Sequence, residues 1–176
     1  TQNILLQREA IELAYALIAR AAEQTGIRVL AIKGLVASAH ELRPDRTPAD
    51  IDILVDPQGF AAFTALLDTY GWRPRLGEYS DFPVPHHSVT YVHGKWPCDI
   101  DVHHRFPGFL APPQQTFDAL WQRRASISIA GRILPMADWT ASVAIMALHS
   151  VRSRPDNPRH AGELRTLLEL AHTWTD

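Results

Sequence analysis

The stretch Arg46-Thr47-Pro48-Ala49-Asp50-Ile51-Asp52-Ile53-Leu54-Val55 sets two carboxylates where a core-forming segment begins. Its aliphatic and β-branched content, with Pro48 before it and Asp56-Pro57 after it, predicts a strand over 50–55. Side chains alternate along a strand, so Asp50 and Asp52 share a face, with Cα atoms about 6.6 Å apart at a rise of about 3.3 Å per residue. Two like charges so placed repel unless something positive lies between them, and Mg²⁺ is the obvious candidate. The plainer alternative is the wet face of a half-buried strand, since alternation alone puts polar residues at i and i+2.

Working outward toward the N-terminus, Val29-Leu30-Ala31-Ile32 is a short apolar run that fits a buried strand. It ends at Lys33-Gly34, and 35–42 then has the look of a helix start. A strand, a Gly turn and a helix place backbone N–H groups and the Lys33 ammonium together, a natural seat for phosphate oxygens. A tight turn with a solvated lysine is the bland reading of the same two residues. Before them, apolar positions at helical spacing predict a helix over about 4–24, stopped by Gly26.

Toward the C-terminus, 43–48 reads as a proline-bearing loop and Pro57 as the opening of a helix that runs to about Tyr70 and stops at Gly71. The Pro- and Gly-rich segment 72–85 has little period and reads as a loop that orders with ligand. A strand over 87–92, a turn at His93-Gly94-Lys95 and a return strand over 98–106 form a hairpin. On the return strand Asp99, Asp101, His103 and Arg105 share one face, and Ile100 and Val102 the other. A loop over 107–113, a short helix over 114–122 and a small hairpin of 126–129 with 132–134 follow. Asp138 is placed to cap a helix over 139–151, and after a linker a last amphipathic helix spans 159–174. Trp139, His149 and the leucines of these helices read as core, and Asp138 as a cap.

Composition narrows the class. The 176 residues are 46% hydrophobic and 20% charged, as in an ordinary folded protein. A formal net charge of −2 disfavours a long nucleic-acid partner. The one cysteine, Cys98, excludes an intramolecular disulfide and a cysteine-based zinc cluster. No apolar run reaches the length of a membrane span, and Arg8, Glu9 and Glu12 do not suit a signal peptide, so a cytoplasmic enzyme or binding module is expected. The pairs His86-His87 and His103-His104 lack the spacing of a zinc motif.

Taken together, Lys33-Gly34, Arg46 before Asp50-Ile51-Asp52, and the acid-x-His strand Asp101-Val102-His103 resemble the nucleotidyltransferases of the DNA polymerase β superfamily. Within it they look most like the group catalogued as uncharacterised nucleotidyltransferases. The resemblance covers most of the chain, and its specificity lies in the first hundred or so residues. It implies an α/β (α+β) nucleotidyltransferase fold: a short mixed sheet flanked by helices, with residues 1–135 as core and 136–176 as a C-terminal helical portion packed on it. It further implies Mg²⁺-dependent transfer of a nucleoside monophosphate, AMP from ATP foremost, to a hydroxyl with release of pyrophosphate. In that scheme Asp50, Asp52 and Asp101 hold two Mg²⁺ ions and do the chemistry, with Asp99 as an alternative third acid. Lys33, Gly34, Ser38, Arg46 and His103 bind the nucleotide, and the acceptor is a small molecule, a peptide or a protein. The usual Gly-Ser or Gly-Gly at the turn is Gly34-Leu35 here, with Ser38 the nearest serine, which leaves Lys33 and Arg46 to share the phosphate grip. Two alternatives stand beside it. One is an antibiotic-type adenylyltransferase with an acidic pocket built from Glu78, Asp81 and Asp99. The other is a catalytically silent domain serving as a protein partner.

Overall fold

The structure, a computed structural model, describes residues 5–43, 47–75, 86–152 and 158–172. Among the described residues thirteen elements follow one another: α1 (Gln7–Thr25), β1 (Val29–Ile32), α2 (Gly34–Ala39), β2 (Asp50–Val55), α3 (Phe60–Thr69), β3 (Arg73–Pro74), β4 (Ser88–Val92), β5 (Asp99–His103), α4 (Pro113–Gln122), β6 (Ala125–Ile129), β7 (Arg132–Met136), α5 (Trp139–Arg152) and α6 (Pro158–His172). The strands form one mixed sheet in the order β3-β4-β5-β2-β1-β7-β6. This is the short mixed sheet flanked by helices that the sequence implied.

The centre of the sheet explains the rest. All four residues of β1 are buried, and β2 is buried from Ile51 onward, so these two strands must be covered on both faces. They pair antiparallel, Ile32 opposite Asp52. On its other edge β2 pairs with β5 in parallel, with Asp50 opposite Asp99 and Asp52 opposite Asp101. A parallel pair needs a crossover, and α3 with the β3–β4 ribbon supplies it. β4 and β5 then close as an antiparallel pair.

The helix α1 lays Ala10, Ile11, Ala14, Tyr15, Ile18, Ala19 and Ala21 inward. Gly26 ends it in a left-handed conformation at φ 68°, its N–H donating to the Ala22 carbonyl, which an L side chain would resist. Tyr15, Phe63, Trp72 and Phe117 are the largest fully buried side chains. Each contributes roughly 1.5–3 kcal/mol of burial free energy against the cost of ordering the chain. A smaller cluster of Ala37, Leu42, Met146 and Leu167 fastens α5 and α6 to α2. The Asp138 carboxylate accepts the Ala141 N–H at 2.8 Å, the cap expected for α5.

Two local expectations are corrected. Pro57 does not open α3: Asp56 and the next residues form a turn, with Gly59 N–H donating to the Asp56 carbonyl at 2.9 Å, and the helix starts at Phe60. A Cβ at 59 would lie 2.6 Å from the Ile27 side chain, which would have to shift to admit it. The segment 72–75, read as loop, is ordered by Trp72, which is fully buried against His93 and Trp96. That anchor brings Arg73 and Pro74 alongside Val92 and Tyr91 as the edge strand β3. A proline is tolerated there because an edge strand leaves one side unpaired. The remainder of the expected loop, 76–85, lies outside the described residues.

Candidate active site

Between β1 and α2 the backbone is strained. Lys33 sits at φ 51°, ψ −144°, a region that non-glycine residues rarely occupy, and costs of order 1–3 kcal/mol. The strain has a visible result: it folds the Lys33 side chain back over the sheet into an ion pair with the Asp52 carboxylate. Both side chains are nearly buried, 11% and 7% exposed. Gly34, at φ 31°, packs over the Tyr15 hydroxyl, where a Cβ would come within 3.6 Å. Burial, with the nearby Asp52 charge added, pushes the Tyr15 phenol far above its ordinary range, so it stays neutral beneath the turn. The helix α2 is only six residues long, and Ser38 lies a full turn beyond Gly34, away from the residues that line the cleft described below.

The parallel register of β2 and β5 then assembles the acids. Asp52 lies beside Asp101, and His103, two residues on, reaches the same spot. The His103 Nε2–H donates to Asp52 Oδ1 at 3.1 Å, and the Thr90 hydroxyl donates to Asp101 Oδ1 at 2.6 Å. One ligand atom from each of Asp52, Asp101 and His103 lies within 4.8 Å of the others. Asp99 goes elsewhere, into an ion pair with Arg75. Of the two candidates for third acid, it is therefore Asp101 that is brought to Asp52.

Burial alone would raise the Asp52 pKa. The Lys33 ammonium and the His103 hydrogen bond outweigh it and hold the carboxyl well below the usual carboxylate range. Asp50 moves the other way, raised by partial burial and then by the charges of Asp52 and Asp101, with Lys33 opposing only in part. Burial is the larger part of that rise, and a cation placed among the three acids would oppose the part due to their like charges.

These acids floor a cleft of about 480 Å³. Asp50, Asp52, Asp101, Lys33 and Gly34 line it, as do residues to which the sequence reading gave no site role, among them Gln7, Arg43 and His149. Gln7 donates to the Pro48 carbonyl at 3.2 Å and ties the start of α1 to the approach to β2. Arg43 is nearly buried, 3.9 Å from Glu163 of α6. His149, read as core, stands instead at the cleft, where burial and the Lys33 charge bring its pKa down to about 4 and keep it neutral. Arg46, expected at the phosphates, lies outside the described residues, as do Glu78 and Asp81.

Comparison with known proteins fits this arrangement. The family described as uncharacterised nucleotidyltransferase matches residues 1–175. The chain belongs to that family. No curated protein matches the sequence. Among solved structures, this nucleotidyltransferase-family chain is similar to the antibiotic-resistance factor ANT(2'')-Ia, at 15% identity over 93% of this chain and 84% of the other, with a TM-score of 0.59. The lincosamide antibiotic adenylyltransferase LnuA matches at 17% identity over 89% and 94%, TM-score 0.55. A putative nucleotidyltransferase from Thermotoga maritima matches at 15% identity over 96% and 99%, TM-score 0.59. At such identities the likeness is one of fold, and the site must be argued from its own residues. No helix among the described residues is long and apolar enough to cross a membrane.

Proposed function

We propose that the protein is a Mg²⁺-dependent nucleotidyltransferase that moves a nucleoside monophosphate, AMP from ATP, onto an acceptor hydroxyl and releases pyrophosphate. The observation that carries this reading is the placement of Asp50, Asp52 and Asp101 at the floor of one cleft whose walls hold Lys33 and Arg43. Acids and bases in one cleft suit a substrate that brings both phosphate charge and a divalent ion. ATP as donor has support from the fold neighbours named for adenylyl transfer, the lincosamide adenylyltransferase among them.

The donor set fits the metal. The carboxylates of Asp50, Asp52 and Asp101 offer the hard oxygens Mg²⁺ prefers, and they line one cleft. The His103 Nε2–H bond to Asp52 Oδ1 orients that carboxylate. Asp50, Asp52 and Asp101 would hold the two ions, which supply electrostatic stabilisation of the attacking and leaving oxygens. The chain itself does the rest. Lys33 and Arg43 bind phosphate oxygens, Arg43 by a planar two-pronged contact. Asp101, held by Thr90, takes the proton as the acceptor oxygen attacks the α-phosphorus. The bond from that phosphorus to the bridging oxygen of the β-phosphate breaks, and pyrophosphate leaves with the electron pair. His149, neutral at the cleft, donates or accepts a hydrogen bond without adding charge.

The test is label transfer. With ATP, Mg²⁺ and a panel of hydroxyl compounds, the α-phosphate label moves to an acceptor and the γ label leaves as pyrophosphate. Label appearing on acceptor from the γ position instead would make the enzyme a kinase and overturn the reading.

A further inference from the structure

The last helix sets a carboxylate against the wall of the cleft. Glu163, on α6, has a side chain only 10% exposed, and its two oxygens have different partners. Oε2 is anchored: the Ser150 hydroxyl of α5 donates to it at 3.1 Å, and the His160 Nδ1–H, one turn back on α6, donates to it at 3.3 Å. Ser150 and His160 are themselves buried. Oε1 lies 3.9 Å from Nη2 of Arg43, whose side chain is 8% exposed. Of this pair it is Arg43 that lines the cleft.

The same network meets the cleft a second time. The His160 ring stands edge to face against that of His149, with 5.0 Å between centroids, and His149 is also a lining residue. Arg43 and His149, drawn from distant parts of the chain, thus both touch one polar network centred on Glu163.

Holding α6 in place does not require this arrangement. Leu167 packs with Ala37, Leu42 and Met146 in an apolar cluster that already fastens the helix. A buried ion pair is a weak source of stability, and well-packed apolar residues of similar volume often do as well or better. What the carboxylate adds is direction. With one oxygen fixed by two donors, the other is a stationary acceptor, and it favours orientations of the Arg43 guanidinium that aim an N–H at it. A guanidinium carries five N–H donors in a rigid fork, so contact with one carboxylate oxygen does not exhaust its capacity toward a phosphate.

Resting on the nucleotidyltransferase reading, we propose that Glu163 is a positioning residue for nucleotide binding: it sets the Arg43 guanidinium toward the phosphates, so that the last helix tunes affinity for the triphosphate without touching it.

The probe is Mg²⁺–ATP, titrated by calorimetry into the parent, Glu163→Gln, Glu163→Asp, Arg43→Gln and the Glu163→Gln/Arg43→Gln double variant, with denaturation midpoints to establish that each is folded. Glutamine keeps an acceptor for Ser150 and His160 but has no charge to offer Arg43. Glu163→Gln binds about tenfold more weakly than the parent, which equals about 1.4 kcal/mol. Glu163→Asp, which restores the charge, recovers most of that loss. Arg43→Gln weakens binding by at least as much, and in that background Glu163→Gln adds no more than about twofold, as expected of a residue that acts through its partner. Unchanged affinity in Glu163→Gln overturns the proposal. So does an equal loss in both backgrounds, or a loss that Glu163→Asp does not reduce, since either makes the part of Glu163 structural only. Should Glu163→Gln not fold, Ser150→Ala takes its place in the cycle: removing one anchor of Oε2 weakens binding about threefold in the parent and leaves Arg43→Gln unchanged, and equal losses in the two overturn the proposal. Failure of the nucleotidyltransferase reading shows separately, as absence of Mg²⁺-dependent ATP binding in the parent.

Discussion

Two spaces, the acid-floored cleft and a cavity lined in part by Phe106, differ in what builds them. The catalytic cleft is acidic at its floor because three strand residues, Asp50, Asp52 and Asp101, are fixed by one parallel register. A second cavity, of about 550 Å³, has His87, Arg105 and Arg152 among its described lining residues, and most of that lining comes from the loop that follows β5. Reaction chemistry needs carboxylates held in fixed relation, which a paired strand provides. Recognition can be carried by loops, which change without unmaking the sheet.

The comparison is broken most severely at the acids. In the proposed reaction Asp101→Asn would remove the proton acceptor and a metal ligand while keeping shape, and transfer should fall by about a thousandfold or more, read as pyrophosphate release. ATP binding in the same variant should suffer far less, and an equal loss of both would make Asp101 a binding residue only. Next in size is Lys33→Met. It leaves the Asp52 carboxylate buried without its ion-pair partner, and unfolding stability should drop by about 3–5 kcal/mol in chemical denaturation. Adding Asp52→Leu to that variant should restore much of the loss, because the uncompensated charge is then gone.

A gentler test uses the neutral histidines, one from the lining of each space. His87 and His149 are each lowered to about 4 from an ordinary value of 6.5, chiefly by burial and then by neighbouring positive charge. The unfolded chain therefore binds more protons than the folded one between about pH 4 and 6.5. Their contribution to stability is fully present above pH 6.5 and is lost as pH falls toward about 4. Denaturation midpoints should climb across that window, and His149→Gln and His87→Gln should each flatten the climb. The smallest effect belongs to Asp99→Asn. Its partly exposed pair with Arg75 contributes about 0–1 kcal/mol, and transfer should be unchanged, which separates Asp99 from its neighbour two residues on.

Much of the acidic side was legible in the sequence. Alternation along 50–55 and 98–106 put the acids on common faces, and short apolar runs marked β1 and the centre of the sheet. Which acid joins Asp52 was not legible, because a two-residue change of register between β2 and β5 keeps the same faces and would have set Asp99 beside Asp52 instead. Arg43, His149 and Gln7 were missed because they reach the cleft from separate parts of the chain. Only the packing of α5 and α6 on α2 brings Arg43 and His149 near Lys33. The edge strand β3 hid in a Pro- and Gly-rich segment, and its anchor, Trp72, is a single residue without period. The Lys33 backbone strain likewise leaves no trace in composition, since glycine at 34 alone suggests an ordinary turn.

The central claim is that Asp50, Asp52 and Asp101 form a metal-dependent nucleotide site. Thermal unfolding with ATP, GTP, CTP and UTP, each with Mg²⁺ or with chelator, tests it on the parent and on Asp50→Asn/Asp101→Asn. Ligand at a hundred times its dissociation constant stabilises the folded state by about 2.7 kcal/mol, a shift of several degrees for a protein of this size. The account predicts a shift with ATP that requires Mg²⁺ and disappears in the double variant. A shift that ignores Mg²⁺, that survives the loss of both acids, or that no nucleotide produces would contradict it.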